Sequence, residues 1–319
     1  MHRLVLFALY LCPLLSLAQG YPEHPIRMLV PFAPGGNVDI TARSISEPMS
    51  KALGQPVVVD NRPGAYGAIA TELVTKAPAD GYTLLIASTG VMSQLPATNP
   101  KLPYDVQRDL VAVVRVAVSP QVLIVNPSLP VKTTREFIAF ARAKPGGALM
   151  AFAGTGTNLM AESFTLLTGV HLVTVPYAKG SAPAMVDLIG GRVDGFIDQV
   201  TSALNHIRSG RVRAIAVTTA KRAAQLPEVP TLAESGVPGF EASTVTGIYA
   251  PAATRSEIVA RLNAVVVDVL NTVAVKERLA TVGAEAAPSS SEELGAFIRN
   301  DIARWKKVIR EAGIKTDSQ

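Results

Sequence analysis

Ten residues, Val30 to Asp39 (VPFAPGGNVD), restrict what this chain can fold into more than any other stretch. The apolar run before and within them (Ile26, Met28, Leu29, Val30, Phe32) reads as a buried strand, which Pro31, Pro34, Gly35 and Gly36 then break. Helical spacing follows at Ile40, Ala42, Ile45 and Met49. Asn37 suits the N-cap, and Asp39 falls in the first turn, where the helix dipole favours negative charge. A strand, a glycine loop and a helix start in that order present free backbone N–H groups to an anion. Phe32, Ala33, Pro34, Gly35, Gly36 and Asn37 are therefore candidate ligand contacts. Asp39 is one too, with a purely dipolar role as its alternative.

The same order of elements recurs about 120 residues later. Leu149 to Gly154 reads as a strand, Thr155-Gly156-Thr157 as a loop, and Asn158 opens a helix that Gly169 ends. If both loops sit at the carboxyl edges of their sheets, a cleft between them offers two helix N-termini to one ligand. Gly154, Thr155, Gly156, Thr157 and Asn158 join the candidates, and the hydroxyls and amide would add neutral hydrogen-bonding groups.

Between and after these loops the chain alternates strand and helix. Strands are expected at Ile26–Phe32, Pro56–Asp60, Tyr82–Ala87, Val111–Ala117, Val122–Val125, Leu149–Phe152, Leu172–Val175, Gly195–Ile197 and Ala214–Val217. They are short continuous apolar runs, as in strands covered by helices on both faces. Thr133 and Glu136 form a capping box, Ser181 caps the helix after Tyr177, and Pro48 predicts a kink or an early end. Two amphipathic helices close the chain, with Trp305 as packing. Ser88 and Thr89, at a strand end, are candidate donors. Tyr177, Lys179 and Asp198 end or follow strands at the same edge. Asp198, if ionised, would favour an amino acid, or a monocarboxylate with a distal donor, over a dicarboxylate; a helix-capping role is the alternative. Asn61-Arg62-Pro63-Gly64 is read as a turn rather than a carboxylate clamp.

The first eighteen residues read as an export signal with cleavage after Ala18: Arg3 is the basic segment, and Leu4 to Leu17 is almost wholly apolar. Cys12 is the only cysteine, so the chain after cleavage would have no disulfide. Thirty basic against 25 acidic residues, with no basic block, argue against nucleic acid as a partner. The histidines are dispersed, no Gly-x-Ser-x-Gly occurs, and no Walker lysine follows either glycine loop. Neither metal nor cofactor is expected. An exported hydrolase is the runner-up function. The effector domain of a transcription regulator would share a two-domain plan but not the export signal.

These residues resemble one family. VPFAPGGNVD, GQPVVVDNRPGA (Gly54–Ala65), APADGYTLLIAS (Ala77–Ser88), VPYAKGSAPAMVDLIGGRVDGFID (Val175–Asp198), LPEVPTLAESGVPGFE (Leu226–Glu241) and GIYAPAAT (Gly247–Thr254) are similar, in order and spacing, to the Bug family. Its members are extracytoplasmic solute receptors of tripartite tricarboxylate transporters. The resemblance implies an α/β, two-domain periplasmic binding protein fold of type II-like plan, with two crossover strands and the ligand in the cleft. It also implies a small carboxylate or amino-acid ligand, a transporter partner in the membrane, a periplasmic location and no catalysis. A monomer is expected. Domain 1 is expected to comprise residues 19–120 and 243–319, and domain 2 residues 121–242, crossing near Ser119–Gln121 and Phe240–Gly247. Asn37, Val38, Asn158, Val245 and Arg255 depart from the family pattern.

Overall fold

The computed structural model describes residues 20–311, so the expected export signal lies outside the described residues. The first third of the described chain comprises β1 (Ile26–Val30), α1 (Asn37–Leu53), β2 (Val57–Asn61), α2 (Ala68–Thr75) and β3 (Thr83–Ser88). The short helices α3 (Leu95–Thr98) and α4 (Val106–Asp109) lead into β4 (Leu110–Val125). There follow α5 (Thr134–Ala143), β5 (Ala148–Phe152), α6 (Thr155–Thr168), β6 (Leu172–Pro176), α7 (Ser181–Ile189), β7 (Gly195–Gln199), α8 (Val200–Arg208) and β8 (Arg213–Val217). The chain closes with β9 (Ser243–Pro251), α9 (Ser256–Asn271), α10 (Val273–Thr281), β10 (Glu285–Ala286) and α11 (Ser291–Glu311).

Two sheets share β4. In the first, β1 runs parallel to β2 and β3, β9 is antiparallel to β3, and the amino half of β4 is antiparallel to β9. In the second, the carboxyl half of β4 lies antiparallel between β7 and β8, and β5 joins β7 to β6 in parallel. The expected strands at 111–117 and 122–125 are thus one strand. Pro120 pairs with Ser243 at the end of the β9 ladder, and the β7 ladder begins at Gln121. A residue that cannot donate to a ladder is tolerated where partners change.

The second crossing is β9 itself, which overlaps the expected link at Phe240–Gly247 but which no apolar run had marked as a strand. It pairs with β4 from Leu110↔Pro251 to Pro120↔Ser243. Each sheet is covered on both faces. Val38, Ile45, Met49, Leu262 and Val266 pack on one side of the first sheet, and Val74, Met92, Tyr249, Leu294 and Ile298 on the other. Phe137, Leu159, Phe164 and Ile215 back the second sheet, opposite Met185, Phe196, Ala203 and Leu204. The closing helix is not confined to the first lobe: Leu294 and Ile302 enter the first core, while Trp305 and Ile309 enter the second.

Local signals mostly hold. Thr133 and Glu136 form the reciprocal capping box, and so do Ser290 and Glu293. Thr133→Ala is expected to cost about 1 kcal/mol in urea unfolding, since one first-turn N–H loses its acceptor; no change would show the box to be idle. Pro48 does not end α1, which runs on to Leu53.

Candidate functional site

Four helices begin where the two lobes meet. Gly36 precedes α1, Gly154 precedes α6, Gly180 precedes α7 and Gln199 precedes α8, and no side chain caps any of the four. Uncapped first turns leave backbone N–H groups available and carry the positive ends of the helix dipoles. All four reach one cavity, lined by residues from β1–α1, the end of β3, β4, β5–α6, α7, β7 and β9. It leaves about 40 Å³ open to the centres of water-sized molecules, room for about three waters. The lobes are therefore closed on each other.

Seven of the expected residues line this cavity: Phe32, Gly36, Asn37, Ser88, Gly154, Gly156 and Thr157. Asn37 is not the cap of α1 but its first residue. Its side-chain oxygen accepts from Ser119 Oγ at 3.0 Å, and its amide approaches Thr246 Oγ1. Thr157 Oγ1 accepts from Ala153 N at 2.7 Å and fixes the second glycine loop.

The other candidates stand back from it. Ala33 N–H donates to Lys179 O at 2.9 Å, so Lys179 contributes a lobe-to-lobe bond through its backbone. Gly35 N–H donates to Asp39, whose buried carboxylate also holds Asn61 Nδ2 at 3.0 Å and Arg43 Nε at 3.0 Å. Asp39 therefore ties down the loop rather than facing the cavity, and Pro34 lies within the loop that it ties. Thr89 faces a separate cavity beside Trp305 and Arg304. Thr155 and Asn158 are in α6 but not among the lining residues. Tyr177 donates to Asp187 at 2.7 Å. Arg62 pairs with Asp60 and is not among the lining residues; the expected turn is not formed, since Asn61 ends β2 and residues 62–64 continue without one.

Asp198 also lies beneath the cavity, not in it. It is fully buried, and its oxygens accept from Ser181 Oγ at 2.7 Å and Ser202 Oγ at 2.6 Å. Burial pushes its carboxyl up to about 6, against the pull of those hydroxyls and the Gln199 N–H. Ser181, expected as a helix cap, is the first residue of α7; it lines the cavity and turns its hydroxyl to Asp198.

Val38 and Gly90, beside the expected contacts Asn37 and Thr89, also line the cavity, and Gln94, Gln121, Ala153, Ser181, Gln199 and Thr244 do so without having been assigned to it from sequence. Thr244 Oγ1 accepts from Gln121 Nε2 at 3.0 Å and Gln199 Nε2 at 3.2 Å, drawing β4, β7 and β9 together. Two signals were present: Gln121 and Thr244 lie in the two expected crossovers, at Ser119–Gln121 and Phe240–Gly247. Gln94 and Gln199 carry no local signal.

None of the described residues lining the cavity is charged. A bound anion would face only neutral donors and helix N-termini; no histidine is among the lining residues, and the one carboxyl that touches a lining hydroxyl, Asp198 behind Ser181, lies beneath the cavity. A larger cavity, of about 800 Å³, lies elsewhere, along β8 and the start of α5. It is an open groove with both Lys132 and Arg135 and Glu228 and Glu234 on its walls, and Thr133 and Glu136 already cap its helix. Convergence of uncapped helices, not size, marks the site.

Comparisons with known proteins agree with this geometry. Residues 41–314 match the family model described as tripartite tricarboxylate transporter family receptor. The periplasmic binding protein BugD superposes with a TM-score of 0.88 at 36% identity, over 92% of this chain and 99% of that one. A Rhodopseudomonas palustris protein, Rpa4515, solved with adipate, gives 0.89 at 38% identity, over 92% and 99%. MatC from the same species, solved with bound malate, gives 0.85 at 33%, over 91% and 100%.

Proposed function

The chain belongs to the tripartite tricarboxylate transporter receptor family, whose members are periplasmic binding proteins, and from that premise we propose that it captures a small dicarboxylate between its lobes. The observation that carries this reading is the convergence of four uncapped helix N-termini on one cavity without a charged lining residue. Backbone N–H groups fixed before the ligand arrives stabilise a carboxylate without a cation, and water exclusion strengthens each bond. The adipate and malate in two relatives support a ligand with a carboxylate at each end. An amino-acid ligand loses its sequence argument, because Asp198 does not reach the cavity.

The lobes in this reading are residues 19–120 with 243–319, and 121–242, hinged where β4 and β9 cross. A dicarboxylate exceeds the space left in the closed cavity, so the lobes separate to admit it and re-close through contacts such as Ala33 N–H to Lys179 O. The protein acts as a monomer in the periplasm after cleavage behind Ala18, and hands its ligand to the membrane components of a tripartite transporter.

A thermal-shift screen tests the ligand class. At 100-fold excess over its dissociation constant, malate or adipate adds about 2.7 kcal/mol, which raises the melting temperature by several degrees. Amino acids and monocarboxylates are expected to give smaller shifts. A response to amino acids alone, or to none of these acids, sinks the proposal.

A further inference from the structure

The cavity has no charged lining residue, yet an ionisable group lies one hydroxyl beneath it. Ser181 faces the cavity and Ser202 does not, and both donate to Asp198. No cation balances the carboxyl. The elements packed against β7 carry Glu162 on α6, Asp187 on α7, His206 and Arg208 on α8, and Arg115 on β4, while β5 has no titratable residue. None of these acts on Asp198, whose carboxyl is pushed up to about 6 by burial against three hydrogen bonds.

The hydroxyl of Ser181 has one proton to give. An ionised carboxylate only accepts, so Ser181 must then donate to Asp198 and present lone pairs to the cavity. A ligand carboxylate, itself only an acceptor, finds no donor there and meets a second negative charge behind it. Protonation reverses the arrangement: the Asp198 O–H donates to Ser181 Oγ, and the Ser181 O–H turns into the cavity. A competing pattern exists, because Ser202 Oγ also lies 3.0 Å from Gln199 O and can donate there while accepting from Asp198. An anion in the cavity selects the first pattern, since a hydrogen bond to a charged acceptor is about twice as strong as a neutral one.

We propose that Asp198 and Ser181 form a proton-linked polarity switch in the cavity floor. With Asp198 neutral, Ser181 donates to an anionic end of the ligand; with Asp198 ionised, it accepts from a ligand O–H or N–H. One solvent proton is taken up by Asp198 as the ligand carboxylate binds. This rests on the reading of the cavity as a carboxylate site. Asp198 is thus a positioning residue that acts through Ser181, and it sets which ligand end is tolerated at a given pH.

The test is calorimetric titration of the protein with adipate and malate from pH 6.5 to 8, where both probes are fully ionised. The dissociation constant is expected to rise about tenfold per pH unit, with about one proton taken up per ligand, read from the dependence of the binding enthalpy on buffer. Asp198→Asn, whose amide donates as the neutral acid does, is expected to bind with no slope and at least tenfold more tightly than the parent at pH 8. If that variant fails to fold, Ser202→Ala serves instead. It removes one bond that holds the ionised form, and is expected to move the onset of weakening to higher pH. A parent affinity that stays flat, or an Asp198→Asn slope equal to the parent's, overturns the switch while leaving the receptor reading intact. Failure of both probes to bind at pH 6.5 overturns the receptor reading itself.

Discussion

Gly156→Val is expected to weaken dicarboxylate binding at least 100-fold while the melting temperature stays within a few degrees of the parent. A Cβ at Gly156 would stand 2.4 Å from Gln94 Oε1 and 3.6 Å from Gly90 Cα. The amide end of Gln94 can swing aside for one methyl group. The two further carbons of valine reach the Gly90 backbone, which cannot. Both neighbours belong to the opposite lobe, so the substitution props the cavity open and covers the first-turn N–H groups of α6. A 100-fold loss corresponds to about 2.7 kcal/mol, which is within the loss of one or two charge-assisted hydrogen bonds at about 1.5–3 kcal/mol each. Valine in a helix costs less than about 1 kcal/mol, so folding survives. Calorimetry with adipate reads the affinity, and an unchanged dissociation constant would show that closure does not bring Gly156 against Gln94.

Gly35 does not share that mechanism, although the two glycine loops look alike in sequence. Nothing lies within 4 Å of a Cβ placed there, but its φ is +86°, where side chains are strained. Gly35→Val would therefore distort the first loop rather than fill the cavity.

What the sequence showed and what it hid follow one division. Strand, glycine loop and helix start are local, and their periodicities and breakers were readable at Val30–Asp39 and again at Leu149–Asn158. The cavity walls are not local: Gln121, Gln199 and Thr244 meet only because β4, β7 and β9 cross there. The strand β9 hid for the same reason, since Thr244 and Thr246 serve the crossing and break the apolar run that marks a buried strand. Asp198 shows how narrow the margin is. It was placed correctly at a strand end, but successive side chains point to opposite faces, so Gln199 lines the cavity and Asp198 lies under it. Depth at one residue's resolution needs the register, and register comes from the partner strand.

Asp39→Ala is the substitution expected to damage both stability and binding. Asp39 is 2% exposed, and its carboxylate accepts Gly35 N–H at 2.9 Å, Asn61 Nδ2 at 3.0 Å and Arg43 Nε at 3.0 Å. Asn61 Nδ2 also donates to Phe32 O at 2.9 Å, so the network grips both ends of the first glycine loop. Alanine leaves the Gly35 N–H without its acceptor and removes one of two acceptors from Asn61. Orphaned donors cost about 1–3 kcal/mol each when buried. The Arg43 side chain is 54% exposed, which limits its ion pair to at most about 1 kcal/mol. The total is of order 3 kcal/mol, to be read from urea unfolding. Affinity for adipate is expected to fall more than tenfold, because Gly36 and the start of α1 lose the support that aims their N–H groups. Asp39→Asn should fall between the parent and alanine, since one oxygen remains to accept while the new amide faces existing donors. The two readouts must move together. If affinity collapses while unfolding is unchanged, Asp39 meets the ligand directly, and the loop-fixing role drawn from its three hydrogen bonds is wrong.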